Sequence, residues 1–140
     1  MLSAPRAIIL VAALVFFPAL LGASANWLEK PGDALKQAKE GGMYLLVDFK
    51  ATWCQNCRKL EDEVFESKEF SGLTEGKVLL LSVDADREAK FVDQYKVDGF
   101  PTILLLDPEG KEIGRIAGYK PFTRYIKELE QLLSKIPAKG

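Results

Sequence analysis

Cys54 and Cys57 are the only thiols in this 140-residue chain, and they stand three apart in Trp53-Cys54-Gln55-Asn56-Cys57. Directly before them runs Tyr44-Leu45-Leu46-Val47-Asp48-Phe49, apolar except for its aspartate. With that run as a strand and the segment from Cys54 as a helix, Cys54 takes the helix N-terminus and Cys57 lies one turn in. Free backbone N–H groups and the positive end of the helix dipole stabilise a thiolate there, so Cys54 becomes the nucleophile. The second thiol is near enough to resolve a mixed disulfide, and the pair becomes a reversible redox switch.

Other uses of the pair are weaker. A purely structural disulfide would close so short a loop that it would remove little entropy from the unfolded chain. Zinc prefers four N or S ligands, and the sequence has no histidine, so no metal and no cofactor is expected. The missing imidazole also excludes Ser-His and Cys-His catalysis. Asp48 is the other residue of interest, because a carboxylate within an apolar strand is costly to bury unless it is protonated or paired. Its alternative place is a strand end that reaches water.

The remaining composition sets the context. Arg6, the apolar run Ala7 to Leu21 and Ala23-Ser24-Ala25 read as the three regions of a cleaved secretory leader over residues 1–25. The competing reading, a retained anchor, has an apolar stretch of about 15 residues broken by Pro18, short of the ~20 a spanning helix needs. Residues 26–140 are then one domain, large enough for a core without a disulfide staple. Loss of Arg6 from 19 basic and 20 acidic residues leaves a formal charge of −2, which gives no electrostatic footprint for nucleic acid. Export places the thiols in an oxidising compartment.

The elements that must hold the pair follow from patterning. Pro31-Gly32-Asp33 is expected to be a turn before a short helix, Ala34 to Glu40, which Gly41-Gly42 ends. Residues 43–49 form a strand buried on both faces. A helix runs from the cysteines, with Cys57, Leu60, Val64 and Phe65 inward. Residues 67–76 read ambiguously as a helical extension and then a loop. Val78 to Val83 is a second strand, and Asp84-Ala85-Asp86 caps a helix from about Arg87 to Tyr95 rather than holding calcium. Thr102 to Leu106 and Lys111 to Ala117 make a hairpin across Asp107-Pro108-Glu109-Gly110. Pro121 suits the first turn of a last helix with Phe122, Tyr125, Ile126, Leu129, Leu132 and Leu133 inward. The sum is an α/β sandwich, a mixed sheet of about four strands with helices on both faces.

With the strand-to-helix CxxC, Gly99-Phe100-Pro101-Thr102 and Gly118 after the last strand, the chain resembles the thioredoxin-fold family over residues 33 to 136. The stretch from Leu60 to Phe70, leading to Leu80-Leu81-Ser82-Val83-Asp84, is similar to exported thioredoxin-like domains such as the C-terminal domain of the disulfide reductase DsbD. That resemblance implies a periplasmic thiol:disulfide oxidoreductase, with disulfide-containing proteins as substrates and a membrane-embedded electron donor. A monomer is expected. The resemblance makes Asp48 the proton acceptor for Cys57 and Pro101 a cis-proline beside the disulfide. Phe100 would offer backbone groups to substrate, Trp53 an apolar rim, and Gly118 room for a partner backbone; core or strand-end roles are the alternatives. Thioredoxin pairs the aspartate with a lysine on the next strand, and the matching position here is Leu80.

Gln55 and Asn56 are neutral, so neither adds charge to stabilise the Cys54 thiolate. A reductase is therefore favoured over an oxidase or isomerase. A binding or chaperone module, or a copper carrier, is the alternative without turnover.

Overall fold

The computed structural model describes residues 25–138, so the leader assigned to residues 1–25 lies, except for Ala25, outside the described residues. Strand β1 is Trp27–Leu28, followed by helix α1, Pro31–Gly41, and strand β2, Tyr44–Lys50. Helix α2, Gln55–Leu60, runs on into a π-helical turn, Glu61–Phe65, and helix α3 is Lys68–Thr74. Strand β3 is Val78–Asp84, helix α4 Ala89–Gln94, strand β4 Thr102–Leu106, strand β5 Glu112–Ala117 and helix α5 Phe122–Leu133.

The sheet has five strands in the order β1-β3-β2-β4-β5, one more than the patterning predicts. The extra strand has two residues, too few to show a period. It forms because Trp27 and Leu28 pair with Leu80 and Leu81, while the Trp27 ring lies 5.1 Å from Phe65 and 6.0 Å from Phe70. β3 runs parallel to β2; on its other side β4 is antiparallel to β2, and β5 is antiparallel to β4.

Alternation along β2 sends its side chains to two cores, as a strand covered on both faces requires. Leu45, Val47 and Phe49 join Ala34 and Ala38 of α1 and Phe91 of α4. Leu46 joins Leu60, Val64, Phe70, Ile103, Tyr125 and Leu129, contributed by α2, the π turn, α3, β4 and α5. Asp48 shares the parity of Leu46, so its carboxyl enters this second core.

Several expected ends move. α1 begins at Pro31 itself, where the missing N–H and fixed φ suit a first helical turn. Asp84 and Asp86 do not cap α4: Asp84 Oδ1 accepts from the Asp86 N–H at 3.0 Å in a local turn, and the helix starts later, at Ala89. Pro121 sits at the N-cap of α5, one place before its first helical residue. The ambiguous stretch after Phe65 is the separate helix α3, capped by the Ser67 hydroxyl accepting from the Phe70 N–H at 3.1 Å. Ser67→Ala should cost about 1 kcal/mol, seen as a lower urea midpoint with an unchanged slope.

Candidate functional site

Cys54 is the N-cap residue of α2, with extended backbone, and its Sγ accepts the Cys57 N–H at 3.1 Å. This supplies the charge-stabilising donor that the sequence geometry requires at the first cysteine. The two residues are joined as a disulfide, with their Cα atoms 5.3 Å apart. Cys54 retains 6 % of its exposure and Cys57 3 %, so access to the pair is narrow. Arg58 donates to the Thr52 carbonyl at 2.8 Å and braces the loop before Cys54.

The rim is built from two loops. Trp53 is 67 % exposed, the exposed large hydrophobic residue among those described, and meets Phe100 edge-on at 6.1 Å. Phe100 packs on the small cluster of Ala51, Cys54 and Cys57. The Phe100-Pro101 bond is cis. The Gly118 N–H donates to the Pro101 carbonyl at 2.8 Å, bringing the end of β5 to the start of β4. Gly118 has φ of +76°, a backbone region that favours glycine, and a Cβ there would face open space. Beyond it, Tyr119 hydrogen-bonds Glu63, and Lys59 Nζ lies 4.7 Å over the Tyr119 ring. That cluster ties the Gly118 loop to the helical segment carrying the cysteines.

Asp48 sits within β2 and is 2 % exposed. Burial is the main cause that pushes its pKa from 3.8 up to about 7; Lys50 opposes the rise and Glu61 adds to it. Lys50 and Glu61 form an ion pair beside it. A cleft of about 750 Å³ lined by Asp48, Lys50, Glu61 and Ser82, among others, opens on this side of the sheet. Leu80, the position matched by resemblance to thioredoxin's lysine, is in register with Leu46, Ser82 stands opposite Asp48, and the nearby cation, Lys50, comes from β2 itself. The sequence carried a signal for this, because residues 48 and 50 of one strand share a face. Glu61 and Tyr125 were missed because nothing local links them to Asp48.

Six of the seven singled-out residues thus gather around the disulfide. Cys54, Cys57, Trp53 and Phe100 pack together and Pro101 and Gly118 are bonded alongside, while Asp48 is buried on β2, the strand that leads into the cysteine loop. The fold and this redox pair define a dithiol–disulfide domain. A family profile described as "Thioredoxin-like domain" matches residues 31–133, and the chain belongs to that family. Over 81 residues it is 36 % identical to thiol:disulfide interchange protein DsbD 2 of Pseudomonas aeruginosa, covering 56 % of this chain and 14 % of that one. Against disulfide bond reductase DsbH of Chlamydia pneumoniae it is 27 % identical, covering 73 % and 68 %. The solution structure of a thioredoxin from Thermus thermophilus superposes with a TM-score of 0.70 at 30 % identity, covering 81 % and 90 %. The chain thus spans a small part of the DsbD relative's length.

Proposed function

We propose that this protein is an exported thiol:disulfide oxidoreductase that reduces protein disulfides through Cys54 and Cys57. The observation that carries the reading is the Cys54 sulfur at the mouth of α2, accepting the Cys57 N–H beside an exposed aromatic rim. The Cys54 thiolate attacks one sulfur of a substrate disulfide, forming a mixed disulfide and releasing the other substrate sulfur as a thiolate. Asp48 takes the Cys57 proton; the Cys57 thiolate then attacks Cys54, the second substrate thiolate leaves, and Cys54–Cys57 is oxidised. Two electrons have passed to the substrate.

Trp53, Phe100, Pro101 and Gly118 form the groove for an extended substrate segment. The apolar rim suits an unfolded or flexible stretch around the target cysteine. Neutral Gln55 and Asn56, together with an Arg58 engaged by Thr52, leave the thiolate without an added positive charge against it, which favours a reducing potential. Residues 1–25 act as the export leader, the domain works as a monomer in the periplasm, and a membrane-embedded donor returns its electrons.

Insulin reduction with dithiothreitol as recycling donor tests the reading. Wild type should accelerate precipitation of the insulin B chain well beyond dithiothreitol alone. A rate equal to that of the reagent would mark a binding module without turnover.

A further inference from the structure

Among the described residues, two buried side-chain oxygens have no hydrogen-bond partner: Asp48 Oδ1 and the Tyr125 hydroxyl. Tyr125 is 1 % exposed. Leaving a buried hydroxyl unpaired costs about 1–3 kcal/mol, and a phenylalanine would fill the same space without that cost. The two groups occupy one layer of the core. Tyr125 packs in the cluster that contains Leu46 and Ile103; Leu46 shares the strand face of Asp48, and Ile103 is its cross-strand neighbour on β4. Burial first, and then the Asp48 charge, hold the Tyr125 hydroxyl well above its ordinary pKa, so the two groups act on each other.

We infer that Tyr125 is a positioning residue for Asp48, its hydroxyl donating to the carboxylate through one buried water that both orphaned oxygens hold. A buried water needs at least two polar partners, and these two atoms supply them. The inference rests on the proposed role of Asp48 as the base for Cys57. The proton passes from the Cys57 thiol to the Asp48 carboxylate, giving a Cys57 thiolate and a neutral Asp48. Tyr125 keeps its own proton and favours the ionised carboxylate that must accept one.

Other groups face the same carboxyl. They are Lys50 on its own strand, Glu61 of the π turn and Ser82 in register on β3; β4 presents apolar Ile103, and Glu128 of α5 acts on Tyr125. Tyr125→Phe leaves all of them in place, so its effect reports the hydroxyl alone.

The test is the titration of Asp48 in reduced protein, followed by its carboxyl carbon resonance, with the pH profile of insulin reduction measured alongside. Tyr125→Phe should raise the Asp48 midpoint by roughly one unit, the loss expected for a donor to a charged acceptor. The acid limb of the rate profile should move alkaline by a similar amount, and Tyr125→Leu should repeat the shift. An unshifted Asp48 midpoint in either folded variant overturns the inference, as does a gain in stability with no shift. So does a rate-profile shift that persists when Asp48→Asn is already present. Because the titration needs no turnover, an inactive protein with a shifted midpoint would refute the proposed function and support this hydrogen bond. An active one with an unshifted midpoint would do the reverse.

Discussion

Cys54→Ser should abolish disulfide reduction, a loss of roughly 1,000-fold or more, because no other thiol in the sequence can replace the nucleophile. Cys57→Ser should lose steady-state turnover to a similar degree, yet for a different reason: Cys54 still attacks, and the mixed disulfide is not resolved by the protein. The two variants therefore separate under one measurement. On non-reducing gels of cells expressing each form, Cys57→Ser should accumulate dithiothreitol-sensitive adducts through Cys54, while Cys54→Ser should show few. The asymmetry follows from the N-cap position, where Cys54 Sγ accepts a backbone N–H and Cys57 lies within the helix. Equal trapping by both variants would remove the distinction between attacking and resolving sulfur. Both should keep a folded core, since the loop closed by their disulfide is too short to constrain the unfolded chain much.

What the sequence reveals about this site depends on how locally each contact is encoded. The strand-then-cysteine order at residues 44–57 sets β2, the start of α2 and the N-cap of Cys54, all contacts between near neighbours. Gly99-Phe100-Pro101-Thr102 likewise marks the start of β4. By contrast, β1 exists only because Trp27 finds Phe65 and Phe70 across the fold, and two residues cannot announce a strand. The π turn is equally silent, since Glu61 to Phe65 reads as ordinary amphipathic helix. The surroundings of Asp48 were hardest to read. Their partners come from β2, β3, the π turn and α5, so no single stretch of sequence displays them, and only the register shows that Ser82 stands opposite Asp48. Tyr125 in particular reads as one more apolar position on α5, and only its burial without a partner singles out the hydroxyl.

Asp48→Asn should make the protein more stable and less active at once. In the folded protein the Asp48 pKa is raised to about 7, chiefly by burial, against 3.8 ordinarily. Between those values the native state holds a proton that the unfolded chain has released, so the stability Asp48 contributes is fully present below 3.8. It declines as pH rises through that window and is lost above about 7. Asparagine carries no such dependence. The stability of the variant relative to wild type should therefore grow by about 4 kcal/mol between acid solution below pH 3.8 and pH 8, as an order of magnitude. Urea unfolding of both proteins across that range measures it, and a constant difference would mean that Asp48 does not titrate late. Resolution of the mixed disulfide should meanwhile slow by roughly 100-fold near neutral pH, the lower range for loss of a general base. The deficit should narrow above pH 8.5, where a free thiol ionises unaided. A stabilised variant that loses activity only where a base is needed cannot be explained by a damaged fold. That pairing would make the cost of burying Asp48 the source of its use: the environment that makes the carboxylate unstable gives it an affinity for the Cys57 proton at neutral pH.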